Sequence, residues 1–405
     1  MHFKRKIVCS AVVAMVLASC ATTNDEYQAE SCIDCALGNS SPTPTPGATP
    51  TPGVTPLIIE SVSKASEEIT WIKKDLNEEV TQGMALSPEN AIVYSKWDNR
   101  LQVINPNTQT ISDDKLYLDV TGSRYSSGET PLVDSESGAS EQVLAKMLIN
   151  HSGTDVFSML VKNEDGAKDK GVGIYSDNIA NGIPETRFAR RATTDIKYYN
   201  YPKIRDIALS HDGMTLLACG ERVIKIFDAT NLNSPTEINT GKKMRSVNFS
   251  EDDKYIFAGS GGLSGLIRIY DAESRESISE INIEETPLAI VELAEAKKIV
   301  AIFNSKDGAG GNKVRVYDIS DISNPKLDKL LVINGNAKSI VISPNGKLFA
   351  IAATGKQVNL FSISGVDTPK VITLGENVSG LGFISDTKLI VSNGTCIEYF
   401  DITVK

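Results

Sequence analysis

Histidine is nearly missing from this chain: there are three in 405 residues, and His2 stands in the leader discussed below. With only His151 and His211 remaining, a metal centre built on several imidazoles has too few ligands. Tryptophan is limited to Trp71 and Trp97, and aromatics make up 6% of the chain. Basic residues are short as well, 41 against 51 acidic, which gives a net charge of −10. Nucleic-acid binding demands a positive footprint, so a polyanion of this kind is not expected to have a nucleic-acid partner. Long apolar runs are also lacking. Residues 7–17 are too few to cross a bilayer as a helix.

The start of the chain is nonetheless informative. Lys4, Arg5 and Lys6 precede that apolar run, and Leu17-Ala18-Ser19-Cys20 follows it. Charge, apolar core and small residues in this order form an export signal. Removing its three basic residues takes the net charge from −10 to −13. Leu-Ala-Ser-Cys resembles the bacterial lipobox. The resemblance implies that 1–19 is a signal peptide and that Cys20 carries a diacylglyceryl thioether holding the protein at a membrane. Each buried methylene contributes about 0.8 kcal/mol to such an anchor. Ala21 after the cysteine resembles the outer-membrane sorting pattern of diderm bacteria. The expected location is therefore the cell envelope, at the outer membrane, with periplasmic and surface faces both open.

Residues 20–40 form a polar leader containing Cys32-Ile33-Asp34-Cys35. Such a pair can serve redox exchange, supply half a zinc site or close a local disulfide. An exported protein meets an oxidising compartment, so the Cys32–Cys35 disulfide is the favoured reading. Cys219 and Cys396 fall in apolar strand patterns and read as buried thiols. From 41 to 56 the chain reads SPTPTPGATPTPGVTP. Proline at this density favours polyproline II at about 3.1 Å per residue, which makes the segment a tether reaching up to roughly 50 Å.

Beyond the tether one unit recurs: a turn beginning with Ser, an apolar second strand, a Gly-containing loop, and a third strand ending in an aromatic residue and Asp. The third-strand ends are Phe227-Asp228, Tyr270-Asp271, Tyr317-Asp318, Phe361-Ser362 and Phe400-Asp401, spaced by 43, 47, 44 and 39 residues. Ile174-Tyr175-Ser176 and Val103-Ile104-Asn105 are weaker copies upstream, and the Ser/Gly/Glu-rich stretch 121–142 reads as an inserted loop between them. Second strands such as Leu216-Leu217-Ala218 and Leu348-Phe349-Ala350 are apolar without alternation, as a strand sandwiched between neighbouring sheets requires. Units of about 40 to 45 residues with four short strands are the signature of propeller blades. Helical periodicity is poor here, which excludes helical solenoids.

The expected fold is all-β: a seven-bladed β-propeller of four-stranded blades over residues 69–405. The last repeat supplies three strands, so an N-terminal strand near 69–75 is expected to pair with the C-terminal blade and close the ring. Residues 57–68 form a lead-in whose Ile58, Val62, Ala65 and Ile69 fit a helical stripe, so a short helix is expected at 59–67. The repeats resemble WD-repeat and YVTN-type propellers. Val316-Tyr317-Asp318-Ile319-Ser320-Asp321-Ile322-Ser323-Asn324-Pro325 is similar to the LVIVD-type repeat of exported bacterial propellers. No copy of the repeat has a Trp-Asp end and none opens on a Gly-His pair, both hallmarks of the WD family.

No residue set calls for a cofactor, a metal or a catalytic role. His211 in Ser210-His211-Asp212-Gly213 and His151 in Asn150-His151-Ser152-Gly153 occupy matching turn positions that accept almost any polar residue. Gly259-Ser260-Gly261-Gly262 lacks the Lys-Ser/Thr and helix of a phosphate loop and reads as a hairpin. Asn163-Glu164-Asp165-Gly166 lacks the EF-hand spacing. Arg187, Arg190 and Arg191, followed by Tyr198, Tyr199 and Tyr201, combine the residue types enriched at binding hot spots. Their register places the tyrosines between the second and third blades, in a connection sharing a rim with the Gly-rich loops. The function expected is a non-catalytic scaffold binding a protein or glycan. A lactonase-like or other small-molecule hydrolase is one alternative, and an outer-membrane assembly factor another.

Overall fold

Each repeat folds as a four-stranded antiparallel sheet because its second strand is greasy on both faces. In the computed structural model Thr215–Cys219, Tyr255–Ser260 and Leu348–Ala353 are buried along nearly their whole lengths. The structure describes residues 57–64, 69–70, 82–86, 91–95, 100–105, 110–111, 116–117, 142–162, 171–178, 197–200, 204–261, 265–304, 313–364, 368–393 and 396–405. Among these there is no α-helix, and a single 3-10 turn occupies Ala294–Ala296.

Seven antiparallel sheets are formed among the described residues, and the strands of each are called a to d in order. Sheet 1 holds Gln82–Leu86, Ala91–Ser95, Arg100–Asn105 and Thr110–Ile111, with Leu116–Tyr117 also on its strand c. Sheet 2 holds Gln142–Ile149, Asp155–Lys162, Gly171–Asn178 and Lys197–Asn200. Sheet 3 holds Asp206–Leu209, Thr215–Cys219, Val223–Asp228 and Asn231–Asn239. Sheet 4 holds Met244–Phe249, Tyr255–Ser260, Gly265–Asp271 and Ser277–Ile283. Sheet 5 holds Thr286–Leu293, Lys298–Asn304, Lys313–Asp318 and Lys326–Val332. Sheet 6 holds Ala337–Ile342, Leu348–Ala353, Gln357–Ser362 and Lys370–Thr373. Sheet 7 takes strands a to c from Val378–Ser385, Lys388–Asn393 and Cys396–Val404, and strand d from Ile59–Lys64.

The core is a series of layers between successive sheets. Alternate residues of one strand b serve opposite neighbours. Leu348, Ala350 and Ala352 join sheet 7 side chains such as Leu389 and Phe400, while Phe349, Ile351 and Ala353 join Val300 and Ile302 of sheet 5. Phe349 stacks on Phe361 with ring centroids 5.0 Å apart. Strand a of each sheet lies against strand a of the next, and that of sheet 7 lies against that of sheet 1. Gly380 and Gly382 permit this last approach, since a Cβ at either would stand 2.5 Å from Met84 Cβ or 2.7 Å from Leu86 Cδ2.

The lead-in corrects the sequence reading. Residues 59–64, expected as the start of a helix, form a strand antiparallel to Cys396–Val404 in the register Ile59↔Val404, Val62↔Ile402 and Lys64↔Phe400. Ile58 and Lys405 exchange both main-chain bonds at 2.9 Å. Leu57, Ile59 and Val62 complete the layer between sheets 6 and 7. A β-branched stretch with weak helical preference gains more from an open strand edge than from local helix formation. Ile69–Thr70 also pairs with Ile397 and Cys396, as part of the expected closing strand, and residues 71–75 lie outside the described ones.

In such a meander the a–b and c–d connections fall at one end of the sheet, the near end. The b–c connection falls at the far end, from which strand d leads to the next sheet. Leu57 sits at the near end, where its N–H donates to Ser364 Oγ of sheet 6 at 2.9 Å.

Candidate functional site

The near-end turns show how the repeat shapes a surface. In sheets 3, 4 and 6 a buried serine opens the a–b turn: Ser210, Ser250 and Ser343. Each hydroxyl accepts the N–H five residues on, from Thr215, Tyr255 or Leu348, at 2.8 to 2.9 Å. Each also donates to the side chain two residues on, Asp212, Asp252 or Asn345. The Ser210 hydroxyl and the Met214 N–H together hold the Asp212 carboxyl below the usual range. In sheet 2 Asn150 takes the serine's role, its Oδ1 accepting from Thr154 and Asp155 N–H.

Neighbouring turns are stapled by carboxylates. Asp253 accepts the His211 N–H at 3.0 Å and the Asp212 N–H at 3.2 Å, and its Oδ1 stands 3.1 Å from His211 Nδ1. Glu292 accepts the Glu251 N–H at 2.7 Å, and Asp386 accepts the Asn345 N–H at 2.9 Å. Burial pushes the Glu292 carboxyl up, against the opposing pull of the Glu251 N–H. Asp253 occupies the left-handed position (φ 59°) held by glycine at Gly213 and Gly346.

The a strands enclose a cavity of about 360 Å³, lined from sheets 1 to 6. Its apolar wall includes Leu86, Leu148, Ala208, Val291 and Ile340. One carboxylate organises its polar side. Asp206 Oδ1 accepts from Lys146 Nζ at 2.6 Å and from Ile207 N–H at 3.0 Å, and Oδ2 accepts from Val247 N–H at 3.0 Å. Asp206 thus ties sheets 2, 3 and 4 together. Lys146 also donates to Ile207 O at 2.8 Å, and Asn248 Nδ2 donates to Ile290 O at 3.1 Å.

His151 and His211 stand in a–b turns, as their sequence context indicated, and both line this same cavity. Their convergence was not visible from the sequence. Lys146 and Asp206 were missed although a signal existed. Each lies four residues before the residue that opens its turn, where sheets 4 and 6 carry Ser246 and Ser339. Opposite charges at one repeat position in adjacent repeats mark a cross-sheet pair. Among the described residues no three His, Cys, Asp or Glu side chains form a metal-holding group.

Cys20, Cys32, Cys35, Arg187, Arg190, Arg191 and Tyr201 lie outside the described residues, as do residues 163–166. Tyr198 and Tyr199 belong to strand d of sheet 2, paired with Tyr175 and Ile174, and not to the connection between sheets 2 and 3. Residues 179–196 therefore join strands c and d. The two tyrosines thus stand in a strand and not in a connection sharing a rim with the Gly-rich loops, as was expected. The misplacement came from the length of 179–196: elsewhere strands c and d are joined by short turns such as 229–230 and 272–276. Cys219 is a fully buried free thiol whose pKa burial pushes well up, in keeping with an inert core residue.

Sheets of four antiparallel strands, packed face to face with their a strands inward, define an all-β, propeller-like protein. A solved structure of this kind, Kuenenia stuttgartiensis hydrazine synthase, is similar with a TM-score of 0.58 at 15% identity, over 82% of this chain and 97% of that one. At that identity the likeness concerns the fold alone. No family model matches the sequence, and no curated protein matches it.

Proposed function

We propose that this protein is a seven-bladed β-propeller, closed by Ile59–Lys64 as the fourth strand of the last blade, that serves as a non-catalytic binding scaffold on a lipid-anchored tether. The observation that supports closure is the unbroken succession of a-strand contacts, in which sheet 7 returns to sheet 1. Its resemblance to LVIVD-type exported repeats and its lipobox-like leader support placement at the cell envelope, at the outer membrane through Cys20.

The side of attachment carries the functional reading. Leu57 and Ile58, the first described residues after the tether, lie at the near end against Ser364 and Lys405. The far end, with its b–c and d–a connections, is the side left free to meet a protein or glycan. Arg222, Lys242 and Lys243 lie there in the connections of sheets 3 and 4, with Arg245 at the start of the strand that follows. They form a basic island on an acidic chain, and Lys243 is paired with Glu221 at 3.2 Å.

The test uses the full chain in intact cells, with a photo-cross-linking residue at Gly241 or Gly355 on the far end and at Ser274 or Asn345 on the near end. A common adduct from the far-end positions and none from the near-end ones supports the reading. Adducts from the near end alone overturn the assignment of the binding side. Failure of Cys20 to incorporate labelled palmitate overturns the anchor.

A further inference from the structure

The cavity ringed by the a strands has an imbalance in its hydrogen-bonding groups that points to a ligand. Its carboxylate is largely engaged: Asp206 accepts three bonds, from Lys146, Ile207 and Val247. Ser210 is engaged too, donating to Asp212 and accepting from Thr215. The donors are only partly so. An ammonium has three N–H groups and a carboxamide two. Lys146 gives two, to Asp206 and Ile207 O, and Asn248 gives one, to Ile290 O. His151, exposed at the rim, has its ring nitrogens available among the described residues. Both donors line the cavity, Lys146 held from sheet 3 by Asp206 and Asn248 from sheet 5 by Ile290 O.

The remaining wall is apolar, formed by Leu86, Leu148, Ala208, Ala289, Val291 and Ile340. A volume of about 360 Å³ falls within the range of small-molecule sites, which are apolar pockets with a few convergent polar groups. We propose that this cavity binds a small organic anion, its carboxylate or other oxyanion held by the spare N–H groups of Lys146 and Asn248 and its apolar body against the Leu148–Val291 wall. This site is separate from the far-end surface assigned to a macromolecular partner, and either stands without the other.

The experiment is calorimetric titration of the full chain with 2-naphthoate and, in parallel, with the neutral 2-naphthamide, which matches it in shape. The expected result is one naphthoate per chain, bound at least ten-fold more tightly than the amide. Lys146→Met is expected to bring the two ligands to within about two-fold of each other. Ala289→Phe, which adds a ring to the apolar lining on sheet 5, is expected to abolish both. Equal affinities for acid and amide in the unaltered chain overturn the proposal, and so does no heat with naphthoate at millimolar concentration. Unchanged naphthoate binding by folded Ala289→Phe places the ligand elsewhere and overturns it as well.

Discussion

Replacing Asp206 by Asn tests whether one carboxylate, rather than one ion pair, joins three sheets. The side chain is 14% exposed, while that of Lys146 is 37% exposed to the cavity. Both Asp206 oxygens face donors, Lys146 Nζ and Ile207 N–H at Oδ1 and Val247 N–H at Oδ2. Asparagine fits neither way round, because its amide nitrogen would confront a donor on whichever side it lay. A bond to a charged acceptor contributes about 1.5 to 3 kcal/mol net, and a buried donor left unmatched costs about 1 to 3 kcal/mol. Lys146 can turn to water in the cavity, so its own removal costs little, roughly 0.5 kcal/mol. The expected order is a loss of about 3 kcal/mol for Asp206→Ala, about 2 kcal/mol for Asp206→Asn and about 0.5 kcal/mol for Lys146→Met. Urea unfolding followed by far-ultraviolet circular dichroism reads these differences. If Asp206→Asn lies within about 0.5 kcal/mol of the unaltered chain, or Lys146→Met costs as much as Asp206→Ala, the bridging account is refuted.

Four further outcomes follow from the same structure. Val62→Asp puts a charge into the layer between sheets 6 and 7 and should cost about 2 to 3 kcal/mol in urea unfolding, with aggregation as the edge of Cys396–Val404 opens. Gly335→Ala meets Thr354 O at 2.3 Å with φ at 79°, whereas Gly346→Ala at φ 66° meets nothing; unfolding should show a loss of at least 2 kcal/mol for the first and about 1 kcal/mol for the second. Native Cys219 should resist a thiol reagent and react fully in urea; rapid native labelling of a chain carrying Cys219 as its sole cysteine would contradict its burial. The pH response combines two signs. Asp212 and Asp318 are held low by hydrogen bonds, from the Ser210 hydroxyl and the Ser320 N–H respectively. Their stabilisation is present above the unfolded carboxylate pKa and is lost as the pH falls through their lowered folded values. Glu292, raised by burial, favours the fold when protonated and loses that contribution as the pH rises through its raised value. Glu292→Gln keeps an acceptor for Glu251 N–H and should raise the unfolding midpoint at pH 7 but not at pH 4.

The strands were legible because their reason is local. Leu216-Leu217-Ala218 and Leu348-Phe349-Ala350 announce burial on two faces, and the Ser-x-Asp and Ser-x-Asn turns announce the corners between strands a and b. What could not be read was whatever depends on a partner distant in sequence. Ile58 and Val62 fit a helical stripe as well as a strand, and only the open edge of Cys396–Val404 decides between them. The tyrosines were displaced by one element because a long c–d connection imitates a passage between sheets. Lys146 and Asp206 were visible as charges but unread as a pair, since repeat register, not proximity in sequence, brings them together. His151 and His211 were rightly placed in turns, yet their common cavity exists only once six a strands are arranged around it.

The exchange of main-chain bonds between Ile58 and Lys405 has a mechanical meaning. A pull applied through the N-terminal segment, resisted at the far end, runs along Ile59–Lys64 rather than across it. Bonds in an antiparallel ladder stand perpendicular to the strands, so such a load falls on all of them at once in shear instead of peeling them one by one. The pairing of Ile59–Lys64 with Cys396–Val404 is thus oriented to hold fast under a load along its length.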